Sequence, residues 1–364
     1  MSEDTSLHER REELRRQLAE GGYSTLADVL LDETGRLIQK VTRSPKPISF
    51  WYSAVAIALV TLLIGWLVSI LLGEFDPLRR RSIPADIGSV AISFVGIIIN
   101  KIYVGIVFAT LRDHVLDAIE STSDLSDLQL WLAAVANTRR HFWFSLAFGI
   151  ATGISLPISF ATVLGTGFSY GSTIFYVIVG FQGAITLYYL VLFLALPARL
   201  SRYHFQLFAA DPSSSGVIDR LSGMLHNYMY LVAAYMALVT VQYVVFTGFT
   251  SLTIAVLALL AWGPLVALFI VNHYSLAKII GRSKTDALRD IQAQIEELWA
   301  KEHILSEKTL AHINKLMDFH DRVRATRNST LNLRAGLGFA NSLLLPLLAF
   351  LLANLNKVLD LFAR

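Results

Sequence analysis

Long apolar runs separated by polar stretches dominate the chain, and they predict helices that cross a membrane. A helix needs about 20 predominantly apolar residues to span the roughly 30 Å hydrocarbon core of a bilayer. Seven runs are long enough, namely residues 49–73, 88–111, 142–165, 172–197, 225–247, 250–274 and 334–358. The predicted fold is therefore all-α, a polytopic membrane protein with seven transmembrane helices.

The polar segments have helical patterns of their own. Residues 1–48 predict cytosolic amphipathic helices, with Ser24 placed to cap the second of them. Residues 275–333 predict a cytosolic helical hairpin whose second arm begins after Ser306. Together these segments are expected to form a cytosolic helical collar. The predicted division of the chain is 1–48, the six spans with helical cytosolic loops over 49–274, the hairpin 275–333, and the seventh span with a short outer tail over 334–364.

Basic residues set the predicted orientation. Eight Lys and Arg residues lie in the segment 1–48 and ten in 275–333, against three in the loop 74–87. Because positive charge favours the cytosolic side, the N-terminus is expected inside and the C-terminus outside. G-protein-coupled receptors have the opposite orientation and are excluded. The expected location is the plasma (cytoplasmic) membrane.

Composition narrows the class further. Hydrophobic residues make up 54% of the chain and charged residues 16%, below the roughly 25% of soluble domains. Cysteine is absent, so disulfides and cysteine-bound metals are excluded. Acidic residues balance the arginines of the N-terminal segment, and no nucleic-acid partner is expected. The expected partners are the lipid bilayer, further copies of the chain in a homo-oligomer, and a small organic ligand or an ion.

A lysine interrupts the second apolar run. Asn100 and Lys101 lie near the middle of the predicted span 88–111, where a charge is costly and marks a functional site by default. All acidic residues fall outside the predicted spans, so Lys101 is expected to have no acidic partner. Four interpretations stay open: a lysine that faces a cavity or anion path, one that donates to carbonyl groups or amide side chains, one that is neutral, and one whose side chain reaches toward an interface. The pore or cavity candidates are Lys101, Asn100, Asn341, Ser342 and Asn356.

Other polar and small residues in the spans give weaker hypotheses. Tyr228, Tyr235 and Gln242 recur at sevenfold spacing on one helix face, and with Gln182 and Tyr188 they suit either a ligand pocket or ordinary helix packing. Gly149 and Gly153 form a GxxxG pair, which predicts close helix packing. Prolines inside the spans are hinge candidates, because each removes a backbone hydrogen bond. They are Pro157, Pro264 and Pro346.

The sequence contains no catalytic constellation. It has no HExxH, GxSxG or phosphate-binding GxxxxGK[ST] pattern, and its histidines do not pair at i,i+4. We therefore expect no enzyme activity, no cofactor and no metal.

The order of elements across residues 1–364 resembles that of the insect odorant and gustatory receptors. Those are seven-span, N-inside ion channels with long cytosolic helices before a pore-lining last span. No residue role is carried over, because that family's signature pairs do not occur in GLGFANSLLLPLLAFLLANL. The layout favours a channel or channel-like receptor. The alternatives are a secondary transporter of a small solute and a scaffold or signalling subunit that presents its cytosolic hairpin.

Overall fold

The computed structural model describes residues 3–74, 83–164, 169–247, 263–301 and 306–327, together with Gly338, Asn341, Ser342 and Leu344. Across these residues the fold is all-α, as predicted, and one isolated antiparallel bridge joins Ile119 to Phe205. The helices are α1 (Glu3–Ala19), α2 (Leu26–Thr42), α3 (Phe50–Leu71), α4 (Ile83–Thr110), α5 (Thr122–Val135), α6 (Thr138–Leu164), α7 (Tyr170–Leu200), α8 (Gly216–Thr247), α9 (Gly263–Lys301) and α10 (Glu307–Ala325).

Six helices in the described part of the chain are long and apolar enough to span a membrane. They are α3, α4, α6, α7, α8 and α9, and they overlap the first six predicted spans. Helix α4 continues beyond Thr110 through a π-helical turn, Leu111–Val115, and a last helical turn, Leu116–Ala118. Most of the predicted seventh span and part of the sixth lie outside the described residues.

Helix α3 buries its small, weakly polar residues and exposes its large apolar residues, as a helix in lipid does. Its buried face consists of small and weakly polar residues, including Ser53, Thr61, Gly65 and Ser69, and contacts α7 among others. Its exposed face is apolar, with Leu63 and other large side chains turned outward. Small residues let membrane helices approach closely, whereas large apolar side chains face the lipid without cost. The pattern is the opposite of that of a soluble amphipathic helix.

Helices α6 and α7 form a tight hairpin along a stripe of residues four apart. The buried positions of the described part of α6 are His141, Ser145, Gly149, Gly153 and Pro157. A Cβ atom at Gly149 would lie 2.6 Å from the Val177 carbonyl oxygen of α7, and one at Gly153 would lie 2.9 Å from the Thr173 carbonyl oxygen. Only glycine allows these backbones to approach so closely.

The N-terminal helices dock against the end of the bundle at which α4 leaves the six-helix core, and we call this end the base. Arg11 donates to the Ile119 carbonyl oxygen, and Arg15 contacts Asp117 at 2.5 Å. Helix α2 begins with a capping box, in which Thr25 accepts from the Asp28 amide and Asp28 accepts from the Thr25 amide. The cap is Thr25, so the prediction of Ser24 was wrong by one residue.

The sixth spanning helix and the first arm of the predicted hairpin are one continuous helix, because α9 runs unbroken from Gly263 to Lys301. Helix α10, capped by Ser306, packs back against it through Ile291, Ile295, Ile313 and Val323. Lys284 on α9 donates to the Arg324 and Thr326 carbonyl oxygens, both at 2.8 Å, and so holds the end of α10.

Candidate functional site: the polar face of helix α4

Three polar residues repeat every seven positions along the buried face of α4. Asp86, Ser93 and Asn100 are 0%, 2% and 4% exposed. Seven residues make about two helical turns, so the three side chains share one face, and about 21 Å separates the first from the last. We call this set the α4 polar face. It covers most of the thickness of a bilayer core.

Asp86 lies at the end of this face away from the base. The Trp66 indole Nε1–H of α3 donates to its Oδ2 at 3.2 Å. Beside it, the Gln242 amide of α8 donates to the Ala85 carbonyl oxygen at 2.9 Å. Asp86 also lies in the first turn of α4, where the helix dipole favours a negative charge. Asp86 was predicted to lie in the loop 74–87, whereas in the structure it is part of α4, which begins at Ile83.

The middle of the polar face contacts α7 and α8. Asn100 Nδ2 donates to Thr186 Oγ1 at 3.1 Å, and the Ser93 hydroxyl donates to the Ser89 carbonyl oxygen at 3.1 Å. Gly96 lies between them, and a Cβ atom there would come within 2.5 Å of Thr186 Oγ1 and 3.2 Å of the Tyr235 ring. The polar groups thus lie where α4, α7 and α8 meet.

Lys101 does not belong to this buried face. Its ammonium group forms an ion pair with the Asp28 carboxylate of α2, and its side chain is 37% exposed. The expectation that Lys101 has no acidic partner was wrong. The pair attaches α4 to the N-terminal helix α2.

The structure distributes the predicted pocket residues over separate helix contacts. Gln182 donates to Thr61 Oγ1 at 2.8 Å, and Tyr188 stacks on His141 with ring centres 4.2 Å apart.

Tyr228 stacks on Tyr103, also with centres 4.2 Å apart. Tyr235 lies beside Gly96, and Gln242 binds the Ala85 carbonyl oxygen. Each of the five candidates makes a contact between helices.

The candidates in the last span are only partly described. Asn341 is exposed, whereas Ser342 is buried and donates to the Gly338 carbonyl oxygen at 2.9 Å. Asn356 and the hinge candidate Pro346 lie outside the described residues. Of the other prolines, Pro157 is buried inside α6, and Pro264 is the second residue of α9 as described.

Sequence reasoning missed Asp86 and Ser93 and found Asn100. The sevenfold spacing that pointed to Tyr228, Tyr235 and Gln242 also relates Asp86, Ser93 and Asn100, and it was the signal that would have found them. Asp86 was placed in the predicted loop 74–87 because the second apolar run was taken to begin at residue 88.

Among the residues that the structure describes, no group of three or more His, Asp or Glu side chains is arranged to hold a metal ion. Comparisons of the chain with protein-family models, with curated proteins and with solved structures return no match. The chemistry of the α4 polar face is therefore the basis for the proposed function.

Proposed function

We propose that the chain is a multi-pass integral membrane protein that passes a cation across the bilayer along the α4 polar face, as a channel. Its N-terminus is placed in the cytosol, so that the base faces the cytosol and Asp86 lies toward the outside. The proposal depends chiefly on the buried line of Asp86, Ser93 and Asn100. It also draws on the resemblance of the layout to the odorant and gustatory receptor channels.

The chemistry of the line favours a cation. Asp86 contributes a carboxylate, and Ser93 and Asn100 contribute hydroxyl and amide oxygens, which are the groups that coordinate cations in membrane pathways. Lys101 would oppose cation passage if its charge were free, but Asp28 pairs with it. The pairing with Asp28 therefore favours a cation path over the anion path predicted from Lys101 alone.

A homo-oligomer is part of the proposal. Asn341 is exposed on the surface of a single chain, in a segment that is otherwise rich in Leu, Ala and Phe. An exposed amide in lipid leaves its polar groups without partners, which costs free energy. Contact with a second copy, or with a water-filled path between copies, removes that cost.

A secondary transporter is the second candidate, and Asp86 is the observation that favours it. A buried carboxylate inside a span is the group on which proton or cation coupling depends in many carriers. The two candidates differ in their transport kinetics, because a channel gives unitary currents, whereas a carrier gives slow flux that saturates with solute.

Reconstitution of the purified full chain into liposomes tests the proposal. We expect K⁺, Na⁺ or H⁺ flux from vesicles that hold the protein, and a loss of about tenfold or more in Asp86→Asn, since the fixed negative charge in the path is removed. Asparagine keeps an oxygen that can accept from Trp66, so the fold should survive. The matched control is Asp32→Asn, which changes an exposed carboxylate of α2.

Two results would contradict the proposal. Equal flux in the parent protein and in Asp86→Asn would place the path elsewhere. No flux of any of these cations, in planar bilayers or in vesicles, would leave a membrane scaffold that presents the α9–α10 hairpin as the better function.

A further inference from the structure

Two histidines from neighbouring spanning helices face each other near the base. His226 belongs to α8 and His273 to α9, and their ring centres are 5.7 Å apart with the ring planes nearly perpendicular. Both line a small gap between the helices, which Asn272 also lines. No residue of the α4 polar face belongs to this cluster, so the cluster is independent of the proposed cation path.

Backbone contacts fix the tautomer of both rings. His226 Nδ1 lies 2.7 Å from the Ser222 carbonyl oxygen, and His273 Nδ1 lies 2.9 Å from the Phe269 carbonyl oxygen. A carbonyl oxygen can only accept, so each Nδ1 carries the hydrogen. In a neutral ring, Nε2 is then left with a lone pair. Metal-binding histidines are oriented in this way, with one nitrogen donating to a carbonyl group and the other free to coordinate.

Two hydrogen-bond acceptors at this gap have no donor. His273 Nε2 and Asn272 Oδ1 are buried and make no hydrogen bond, and the two residues are 6% and 5% exposed. A buried acceptor without a donor costs free energy, so two of them favour a ligand that accepts electron pairs. A cation has that property.

The separation of the two rings suits a metal ion that both bind directly. A water needs about 3 Å to each polar partner, whereas Zn²⁺ binds imidazole nitrogen at about 2 Å. Two imidazoles on one tetrahedral ion have ring centres roughly 5 Å apart by the same geometry, which is close to the observed separation.

We propose that His226, His273 and Asn272 bind a divalent transition metal ion of the zinc class, which bridges α8 and α9. Imidazole nitrogens suit zinc and its neighbours in the transition series, whereas magnesium and calcium prefer oxygen ligands. The sequence search for histidines at i,i+4 could not find this pair, because its members come from two helices that are 47 residues apart along the chain.

The site is tested on the full chain, purified in detergent and freed of metal with a chelator. Co²⁺ serves as the probe, because its visible absorption reports the number and geometry of its ligands. We expect one Co²⁺ per chain, with a visible absorption band that an equivalent of Zn²⁺ abolishes by displacing the Co²⁺. His226→Gln and His273→Gln should each weaken binding by at least about tenfold. His312→Gln, which changes an exposed histidine of α10, should bind as the parent does.

Thermal unfolding measures metal binding independently of the visible absorption of Co²⁺. Zn²⁺ at a concentration well above its dissociation constant should raise the melting temperature of the parent protein and of His312→Gln, because an ion that binds only the folded state stabilises it. The rise should disappear in both cluster variants. The proposal is overturned if no Co²⁺ band forms, or if both cluster variants bind Co²⁺ and respond to Zn²⁺ as the parent does. Since His226 is only half-buried, its variant is expected to fold even if His273→Gln does not.

Discussion

Asp28 of α2 and Lys101 of α4 form an ion pair across 73 residues of sequence. The other carboxylate oxygen of Asp28 accepts hydrogen bonds from Thr25, at 2.9 Å from its amide and 2.7 Å from its hydroxyl. The Asp28 side chain therefore completes the capping box of α2 and attaches α2 to the spanning helix α4. Lys101 thereby joins the N-terminal segment to the base.

Breaking this pair should destabilise the docking of α2. We expect Lys101→Met and Asp28→Asn each to lower the free energy of unfolding, with a coupling energy of about 1 kcal/mol in the double mutant, since the partly exposed lysine is screened by solvent. A double-mutant cycle on chemical unfolding in detergent measures the coupling.

The control for this cycle is Arg36→Gln, which removes the exposed contact between Arg36 and Glu33 on the same helix. Its effect should stay within about 0.5 kcal/mol. Zero coupling between positions 28 and 101 would show that the pair does not hold α2. Unchanged stability with altered ion flux in Lys101→Met would return the lysine to the transport path.

The position of Lys101 shows where hydropathy misleads. The apolar run around it continues to Leu111, so the sequence places the lysine near the middle of a span. The structure buries Val104, Val107 and Leu111 in the protein core, where they are at most 4% exposed. Residues that are apolar because they face protein look the same in a sequence as residues that face lipid. The bounds of a span therefore cannot be read from hydropathy alone where the helix continues into a buried core.

Close packing of α6 on α7 gives the next prediction. Gly149→Ala should destabilise the protein by about 2 kcal/mol or more, because the new methyl group meets the Val177 carbonyl oxygen, a backbone atom that cannot rotate away. Gly183→Ala is the matched control on α7, since nothing lies within 4 Å of the added atom. It should be neutral or up to about 1 kcal/mol stabilising, as alanine favours a helix. Thermal unfolding of both variants in detergent measures the difference, and equal effects would contradict the packing.

Local patterns predicted some of these contacts and not others. The GxxxG pair at Gly149 and Gly153 marks a close contact because the spacing of small residues is itself the physical cause. The hydrogen bond between Asn100 and Thr186 has no such local cause, since it depends on how α4 and α7 are rotated against each other. The fold class and most of the spans were therefore predictable, whereas the partners of Asp86, Asn100 and Lys101 were not.

A buried hydroxyl without a partner predicts a stabilising substitution. The Tyr103 hydroxyl is buried among α4, α7 and α8 and makes no hydrogen bond, while its ring stacks on Tyr228 and meets Phe193 edge-on. Tyr103→Phe keeps the ring contacts and removes the unsatisfied group. We expect a gain of about 1 kcal/mol in the free energy of unfolding, measured by chemical unfolding in detergent. A loss of stability would mean that the hydroxyl has a partner after all.

The Tyr203 hydroxyl, unlike that of Tyr103, has a hydrogen-bond partner, and this contact makes the stability of the protein depend on pH. Its hydroxyl donates to Asp127 Oδ2 at 2.7 Å, and Arg199 also contacts this oxygen at 2.9 Å. Burial, and then the bond to Asp127, raise the pKa of Tyr203 above its ordinary value of 10.0. Above about pH 10 the unfolded chain loses this proton while the folded chain keeps it, so stability falls as pH rises, by up to about 1.4 kcal/mol per pH unit.

Tyr203→Phe isolates this contribution, because the other tyrosines titrate alike in both proteins. We expect the variant to be less stable than the parent near neutral pH by about 1–2 kcal/mol, since Asp127 loses a donor. Its stability should then fall less steeply than that of the parent between about pH 9 and about pH 11. Chemical unfolding in detergent across this range measures both curves. Parallel curves would show that the proton of Tyr203 is held no more tightly in the folded chain than in the unfolded one.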